Sequence, residues 1–351
     1  MAIFQHIVEF NSHDGIGNDI KGISEILQDN NKENYIVTLL NKSLLNEPNV
    51  LIYKEINKSM FSNKDIHILH YGGMGYPINF FCNLPGKKIL RFHNITPYFF
   101  SYGFCSADYF KSFKEGYEQS VMELQSLCFD IQEIWYDSYY NMISLKNMIN
   151  FHFTHIKEKI KPIFRKYHIE GKNINHNTWN LLFIGRIVPH KKIEDIILLL
   201  YYLNKISTNY KLHIIGSFSK IFKEYEEYLL NFVDRLNLKN NIIWHGNISE
   251  EKLQLLRKDI GFYISMSEHE GFCIPILESY GFGIPVLAYD SCAVRETMGS
   301  AGVKISQKNF PYISELLHTL STKKNILSKI IDHQYIYLSS LNLNSQLQEL
   351  L

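Results

Sequence analysis

The chain has 351 residues, 46% of them hydrophobic and 20% charged, which is too long for one ordinary core and suits two domains of a globular protein. The formal net charge is only +1, so the whole-chain field gives no argument for nucleic-acid binding. The cysteines Cys82, Cys105, Cys128, Cys273 and Cys292 are scattered and form no CxxC pair. They read as reduced thiols of a cytoplasmic protein and argue against a zinc site. No apolar run reaches transmembrane length, and the opening MAIFQHIVEF reads as a strand, not as a signal peptide.

In the first half, strands are expected near 3–10, 35–40, 66–70, 88–92 and 132–136. Helical spacing fills the gaps, as in Phe110, Phe113, Tyr117, Val121 and Leu124. The run Asp14-Gly15-Ile16-Gly17-Asn18-Asp19-Ile20 follows the first strand and opens a helix; taken alone, a GxG of this kind is most simply a tight turn. Arg91-Phe92-His93-Asn94-Ile95-Thr96-Pro97 closes the strand at 88–92. Two readings stand for His93, a site residue at a strand end or a hydrogen-bonded structural histidine. The stretch 151–178 is rich in Lys, His and Asn, contains Pro162 and Gly171, and reads as the interdomain linker.

In the second half, strands are expected near 180–184, 211–215, 241–244, 261–264 and 285–288. Strands alternating with helices imply parallel sheets covered on both faces, an α/β architecture of two Rossmann-like doubly wound domains. In such sheets ligands bind beyond the C-terminal strand ends. After the strand at 181–184 come Arg186 and Lys191, a planar fork and a point charge that together suit a diphosphate. Two solvated surface cations are the plainer alternative. After the strand at 261–264 comes Glu268-His269-Glu270-Gly271-Phe272-Cys273-Ile274-Pro275-Ile276-Leu277-Glu278. Gly271 permits close backbone approach, and Pro275 fits a first helical turn. The amides of Phe272, Cys273 and Ile274 are then expected at a helix N-terminus, a place for phosphate. Two carboxylates flanking a phosphate nest suit a nucleotide sugar, the alternative being a helix-capping pair.

These residues carry a resemblance. Glu270 to Glu278 resembles the E-x7-E motif of retaining GT-B glycosyltransferases of family 4. Arg186 and Lys191 resemble that family's R-x4-K pair, and Gly281-Phe282-Gly283-Ile284-Pro285-Val286 and the segment Gly246–Leu253 resemble its later turns. The Gly15–Asp19 loop, Arg91–Pro97, Gly116–Gln119 and Trp135–Asn141 are similar to one clade with a YHNITP signature, so the likeness spans roughly 5–305. It departs at Arg295, where the family has Pro, at Leu256–Gly261, and in the linker.

The resemblance implies a GT-B fold, two Rossmann-like domains facing each other across a cleft. Residues 1–160 would form the acceptor-side domain and 161–335 the donor domain, with 336–351 a tail or helix crossing back to the first. It implies a transferase moving a sugar from a nucleoside-diphosphate sugar to an acceptor hydroxyl with retention. Front-face attack is favoured because both acids are assigned to donor binding, and no metal or other cofactor is expected, since Arg186, Lys191 and the helix amides can take up the diphosphate charge and the sequence has no Asp-x-Asp loop. Arg186 and Lys191 would hold the diphosphate, Glu270 the donor sugar and Glu278 the ribose hydroxyls. Gly15, Gly17, Gly246, Gly271, Phe272, Cys273 and Ile274 would complete donor binding. His93 would shape the reacting centre, with Asn94 and Thr96 on the acceptor side.

The expected partners are a nucleotide-sugar donor and a glycan or lipid-linked glycan acceptor, with no nucleic acid. GDP-mannose is the first donor to consider from the clade, with UDP- and dTDP-sugars open. The expected setting is bacterial surface polysaccharide assembly, in the cytoplasm or at the inner face of its membrane. The aromatic run 97–104 and the cations Lys111, Lys114, Lys157, Lys159, Lys161, Arg165 and Lys166 supply a surface for peripheral membrane contact, the alternative being buried aromatics and a solvated basic face. Three other functions remain: a nucleotide-sugar 2-epimerase of the same fold, a phosphorylase (which would need a pyridoxal-phosphate lysine and a longer chain), and a non-catalytic binding module.

Overall fold

The structure, a computed structural model, describes residues 1–11, 14–40, 49–150, 155–167, 169–170, 179–341 and 347. Two compact units emerge. The first comprises Met1–Pro97, Lys114–Lys166 and, from the end of the chain, Leu347; the second comprises Tyr98–Phe113 and Tyr167–Leu341.

The first unit is built on a seven-stranded parallel sheet: β1 (Ile3–Glu9), β2 (Asn34–Leu40), β3 (Val50–Ile52), β4 (Ile66–Tyr71), β5 (Lys87–Phe92), β6 (Glu133–Tyr136) and β7 (Lys157–Ile160), in the order β3-β2-β1-β4-β5-β6-β7. Its helices are α1 (Gly15–Asp29), α2 (Ile78–Cys82), α4 (Tyr139–Ile149) and, from Lys114 on, α3 (Ala107–Leu127). Asp14 caps α1 by accepting from the Gly17 amide at 2.7 Å, and Ser138 caps α4 from the Asn141 amide at 3.1 Å. Gly22 on α1 lets the chain pass closely, because a Cβ there would fall 1.6 Å from the Phe164 carbonyl oxygen.

The second unit has a six-stranded parallel sheet: β8 (Asn180–Ile184), β9 (Lys211–Ile215), β10 (Ile242–Gly246), β11 (Phe262–Ser265), β12 (Val286–Tyr289) and β13 (Val303–Ile305), ordered β10-β9-β8-β11-β12-β13. Its helices are α5 (Ile193–Ile206), α6 (Lys223–Arg235), α7 (Glu250–Arg257), α8 (Ile274–Gly281), α9 (Val294–Met298), α10 (Phe310–Thr322) and α11 (Lys324–Ser340). Helix α5 shows how the core forms. Ile193, Ile196, Ile197, Leu199, Leu200 and Leu203 are all buried, each side chain contributing about 1.5–3 kcal/mol over exposure. At the strand ends Gly216 (φ +141°) is obligatory in size, since a Cβ would lie 1.9 Å from the Gly185 carbonyl oxygen.

All ten strands expected from the sequence are present, together with three short edge strands, β3, β7 and β13, that were not expected. The segment Tyr98–Phe113 packs with the second unit. Phe104 meets Tyr225 edge-on at 4.9 Å, Phe113 stacks on Phe222 at 5.7 Å, and Phe100 lies 5.7 Å from the His269 ring. Phe99 and Tyr102 stay exposed. Much of the expected linker, including Gly171, and most of the tail beyond 341 lie outside the described residues. Leu347 is fully buried with Ile3, Ile23 and Trp135. Among the described residues no helix is long and apolar enough to cross a membrane.

Candidate active site

Each sheet reverses its strand order once, between β1 and β4 in the first unit and between β8 and β11 in the second. The crevice outside the strand ends at such a point is where open α/β sheets bind ligands.

In the second unit the loops after β8 and β11 meet at this place. β8 leads through Gly185 and Arg186 into a single 3-10 turn, Pro189–Lys191, and α5 follows. Lys191 Nζ lies 2.6 Å from Glu270 Oε1, both side chains being largely buried. The same two loops are tied by the Glu268 amide donating to the His190 carbonyl at 2.8 Å. Arg186 is exposed and forms no ion pair among the described residues. Helix α8 starts at Ile274 with Pro275 in its first turn and Cys273 in the left-handed region (φ +75°). The amides at its start lack intrahelical acceptors and carry the positive end of the helix dipole. Phe272 is fixed because its carbonyl accepts from the Thr297 hydroxyl.

Glu278, in the second turn of α8, takes Arg257 of α7 at 3.1 Å; Arg257 also reaches Glu250 at 3.1 Å and covers the Phe282 ring. Gly246 ends β10 at φ +63° with its carbonyl accepting from the Gly216 amide at 2.9 Å. Burial, followed by Lys191, His269 and Arg186, pushes His190 well below its ordinary value, and burial takes His269 down to about 4. Both imidazoles therefore stay neutral beside the Lys191 cation. Burial, with Glu270 next, raises the Cys273 thiol far above its usual range, so this cysteine is not a thiolate nucleophile.

In the first unit the strand-end residues form a buried charge cluster. Arg91 reaches both oxygens of Asp19, at 2.8 and 3.0 Å, and Asp137 Oδ1 at 3.0 Å. Its guanidinium also donates to the Lys161 and Pro162 carbonyls. His93 contacts Asp137 Oδ2 at 3.1 Å and His70 at 2.9 Å. The Asn94 side chain (φ +77°) donates to Asn141 at 2.7 Å and accepts from the Ile95 amide at 2.6 Å, holding its own loop. Thr96 is exposed. Gly15 is exposed at the start of α1, whereas the Gly17 amide is already committed to Asp14.

The structure corrects part of the basic surface proposed for membrane contact. Lys161 is buried with its amine 4.8 Å from the centre of the Trp135 ring, and burial takes it down to about 8. Lys159 is held by Glu133 at 2.6 Å. Both cations are drawn in because Lys159 on β7 lies beside Glu133 of β6 and Lys161, just after β7, beside Trp135 of β6. Phe100 and Phe104 are likewise packed in the second unit.

Asp19, Arg91 and Asp137 were missed as site residues although they stand inside the motifs quoted above. The available signal was a charged residue, Arg91, in an otherwise apolar strand. Arg257 was read only as a departure from a pattern, yet it is the partner of Glu278.

Residues 164–333, which fall almost wholly within the span of the second unit, match the family model described as Glycosyl transferases group 1. In fold the chain is similar to HepE of Anabaena in complex with UDP and glucose, with TM-score 0.73 and 12% identity over 100% of this chain and 99% of that one. It is similar to sucrose-phosphate synthase of Thermosynechococcus elongatus, with TM-score 0.75 and 12% identity over 99% and 98%. It also matches a TarM variant of S. aureus in complex with UDP and alpha-GlcNAc-glycerol, with TM-score 0.64 and 17% identity over 85% of this chain and 56% of that one. The chain thus spans little more than half of TarM. At these identities the likeness is one of fold: two Rossmann-like α/β domains with GT-B glycosyltransferases as structural neighbours. No curated protein matches the chain.

Proposed function

We propose that this chain is a retaining glycosyltransferase that moves a sugar from a nucleoside diphosphate to an acceptor hydroxyl in surface-polysaccharide assembly. The observation that carries the reading is the Lys191–Glu270 pair at the strand-order reversal of the second unit, beside exposed Arg186 and the start of α8. In this reading Arg186, Lys191 and the amides at 272–274 receive the charge that builds on the departing diphosphate. Of these, Lys191 and the amides are held in place before the reaction, by Glu270 and by α8, and need little reorganisation. They do the work that a divalent ion does in other transferases, so no metal is required. Glu270 accepts hydrogen bonds from donor-sugar hydroxyls and Glu278 from the ribose. With both acids binding the donor, retention follows from front-face attack in which the departing phosphate takes the acceptor proton.

The neighbours HepE and TarM are named as complexes with UDP, so UDP-sugars are the first donors to try, ahead of GDP-mannose and dTDP-sugars. The test is a screen of nucleoside diphosphates and their sugars for protection against thermal unfolding, followed by product analysis. A ligand that binds only the native state at 100 times its Kd raises stability by about 2.7 kcal/mol. Expected are protection by one nucleoside diphosphate and a product that keeps the donor's anomeric configuration. Inversion would overturn the mechanism. Conversion of UDP-GlcNAc without any acceptor would make the protein a 2-epimerase instead.

A further inference from the structure

The buried cluster of the first unit fixes the position of a proton. Gln5 on β1 donates from Nε2 to the Ser24 hydroxyl at 2.8 Å and the Ile20 carbonyl at 3.3 Å. Its Oε1 is therefore the atom facing His70 Nε2 at 3.0 Å. His70 must carry its hydrogen on Nε2, which leaves Nδ1 a lone pair if the ring is neutral. On the other side, Asp137 presents Oδ2 to His93 Nδ1 at 3.1 Å, while the Arg91 guanidinium lies in ion-pair range of its Oδ1, 3.0 Å away. A carboxylate only accepts, so His93 Nδ1 carries hydrogen and a neutral His93 would have a lone pair on Nε2. Yet His70 Nδ1 and His93 Nε2 face each other at 2.9 Å. Two neutral rings would oppose two lone pairs, so something positive has to sit between them.

We infer that it is a proton, so that His93 is held as an imidazolium donating from Nδ1 to Asp137 and from Nε2 to neutral His70. Charge agrees with this assignment. The groups facing the pair are Asp19 from α1, Arg91 from β5 and Asp137 after β6; His6, the next residue on β1 after Gln5, also acts on His70 and is itself kept neutral by burial. Two carboxylates against one guanidinium leave one negative charge, which the imidazolium balances. All these side chains are almost wholly buried, where an unbalanced charge is costly. Arg91 against Asp137 places the proton on the ring, not on the carboxyl group. Burial, then His93, Arg91 and His6, push His70 well below its ordinary value, which keeps it the acceptor.

A metal ion is the other positive candidate, since Asp19, His70 and His93 bring ligand atoms within 4.8 Å of one another. Two imidazoles on one tetrahedral zinc, each about 2.0–2.1 Å from it, would hold their nitrogens about 3.3 Å apart, wider than is found here. The nearest Asp19 oxygen already takes Arg91 at 2.8 Å, so an ion would meet a guanidinium. His93 is thus a positioning residue with both N–H groups committed, and not a general base. This conclusion rests on hydrogen bonds and is independent of the sugar-transfer reading.

The test reads the proton directly. The full chain, labelled with 15N at the histidine rings, is studied by long-range 1H–15N correlation at about pH 8, where an ordinary imidazole is neutral. Expected is one histidine with both ring nitrogens protonated, lost in His93→Gln and displaced in Asp137→Asn. If either variant fails to fold, the wild-type spectrum still decides. Only neutral patterns at this pH would overturn the inference. So would a His70–His93 signal pair that moves on adding Zn²⁺ and reverts with EDTA without any doubly protonated ring.

Discussion

Lys191 and Glu270, 79 residues apart in sequence, form a 2.6 Å ion pair that ties the loop after β8 to the loop after β11. The two residues assigned to opposite ends of a donor are thus mutual partners, and a diphosphate bound as proposed would share the Lys191 cation with Glu270. Lys191→Ala is expected to remove about 2–4 kcal/mol of transition-state stabilisation, by analogy with loss of one oxyanion donor. It should also lower stability by about 1–3 kcal/mol, since it leaves a buried carboxylate unpaired. Arg186 is exposed, so Arg186→Ala should lower kcat/KM with little change in urea midpoint. Near wild-type turnover in both variants would refute the clamp.

Activity is expected to persist in EDTA, because in the proposed reading Arg186, Lys191 and the α8 amides supply the positive charge that a divalent ion would. Assays with and without chelator decide the point; abolition by EDTA with rescue by Mg²⁺ would show a differently built site.

Three buried histidines make the fold acid-sensitive. Burial takes His67, His213 and His269 each down to about 4. Above their ordinary value near 6.5 neither the folded nor the unfolded chain binds these protons, so they leave stability untouched. Between that value and about 4 only the unfolded chain takes them up. Stability should therefore fall as pH drops through this window, by up to about 1.4 kcal/mol per pH unit for each histidine. Urea titrations from neutral to acid pH measure the slope, and His213→Gln should flatten it. A flat profile would contradict the assignment.

Gly216→Ala should destabilise the second unit by about 1–3 kcal/mol through overpacking, because its Cβ would strike the Gly185 carbonyl oxygen. An unchanged midpoint would mean that the strand ends can move apart.

In the proposed membrane contact, the aromatic run 97–104 offers only Phe99 and Tyr102 as exposed rings. Sedimentation with anionic vesicles should weaken when both become Ser. Protein that stays in the supernatant at low salt would end that proposal.

The fold was readable because parallel strands buried on both faces leave apolar runs such as Leu181–Ile184. The strands missed were short, and Lys157–Ile160 alternates charge on a sheet edge, where no apolar run is needed. At the site, Arg186, Lys191 and the two acids could be found because each lies soon after a strand or opens a helix. Their pairings could not be read. That Lys191 meets Glu270 depends on β11 pairing beside β8, and that Arg91 meets Asp19 depends on how α1 lies over the sheet. Local sequence carries neither.

The Tyr98–Phe113 excursion sets a limit on dissecting this protein. The chain leaves the first unit after Pro97, lends the second unit Phe100, Phe104 and Phe113, and is back in the first by Lys114. A single cut near residue 166 therefore does not yield two self-sufficient pieces. The C-terminal fragment would bare the aromatic faces of Phe222, Tyr225 and His269, and the N-terminal fragment would keep Tyr98–Phe113, including the start of α3, without the aromatic partners it packs on. Either piece expressed alone is expected to aggregate unless the missing sixteen-residue strap is grafted back or those faces are made polar.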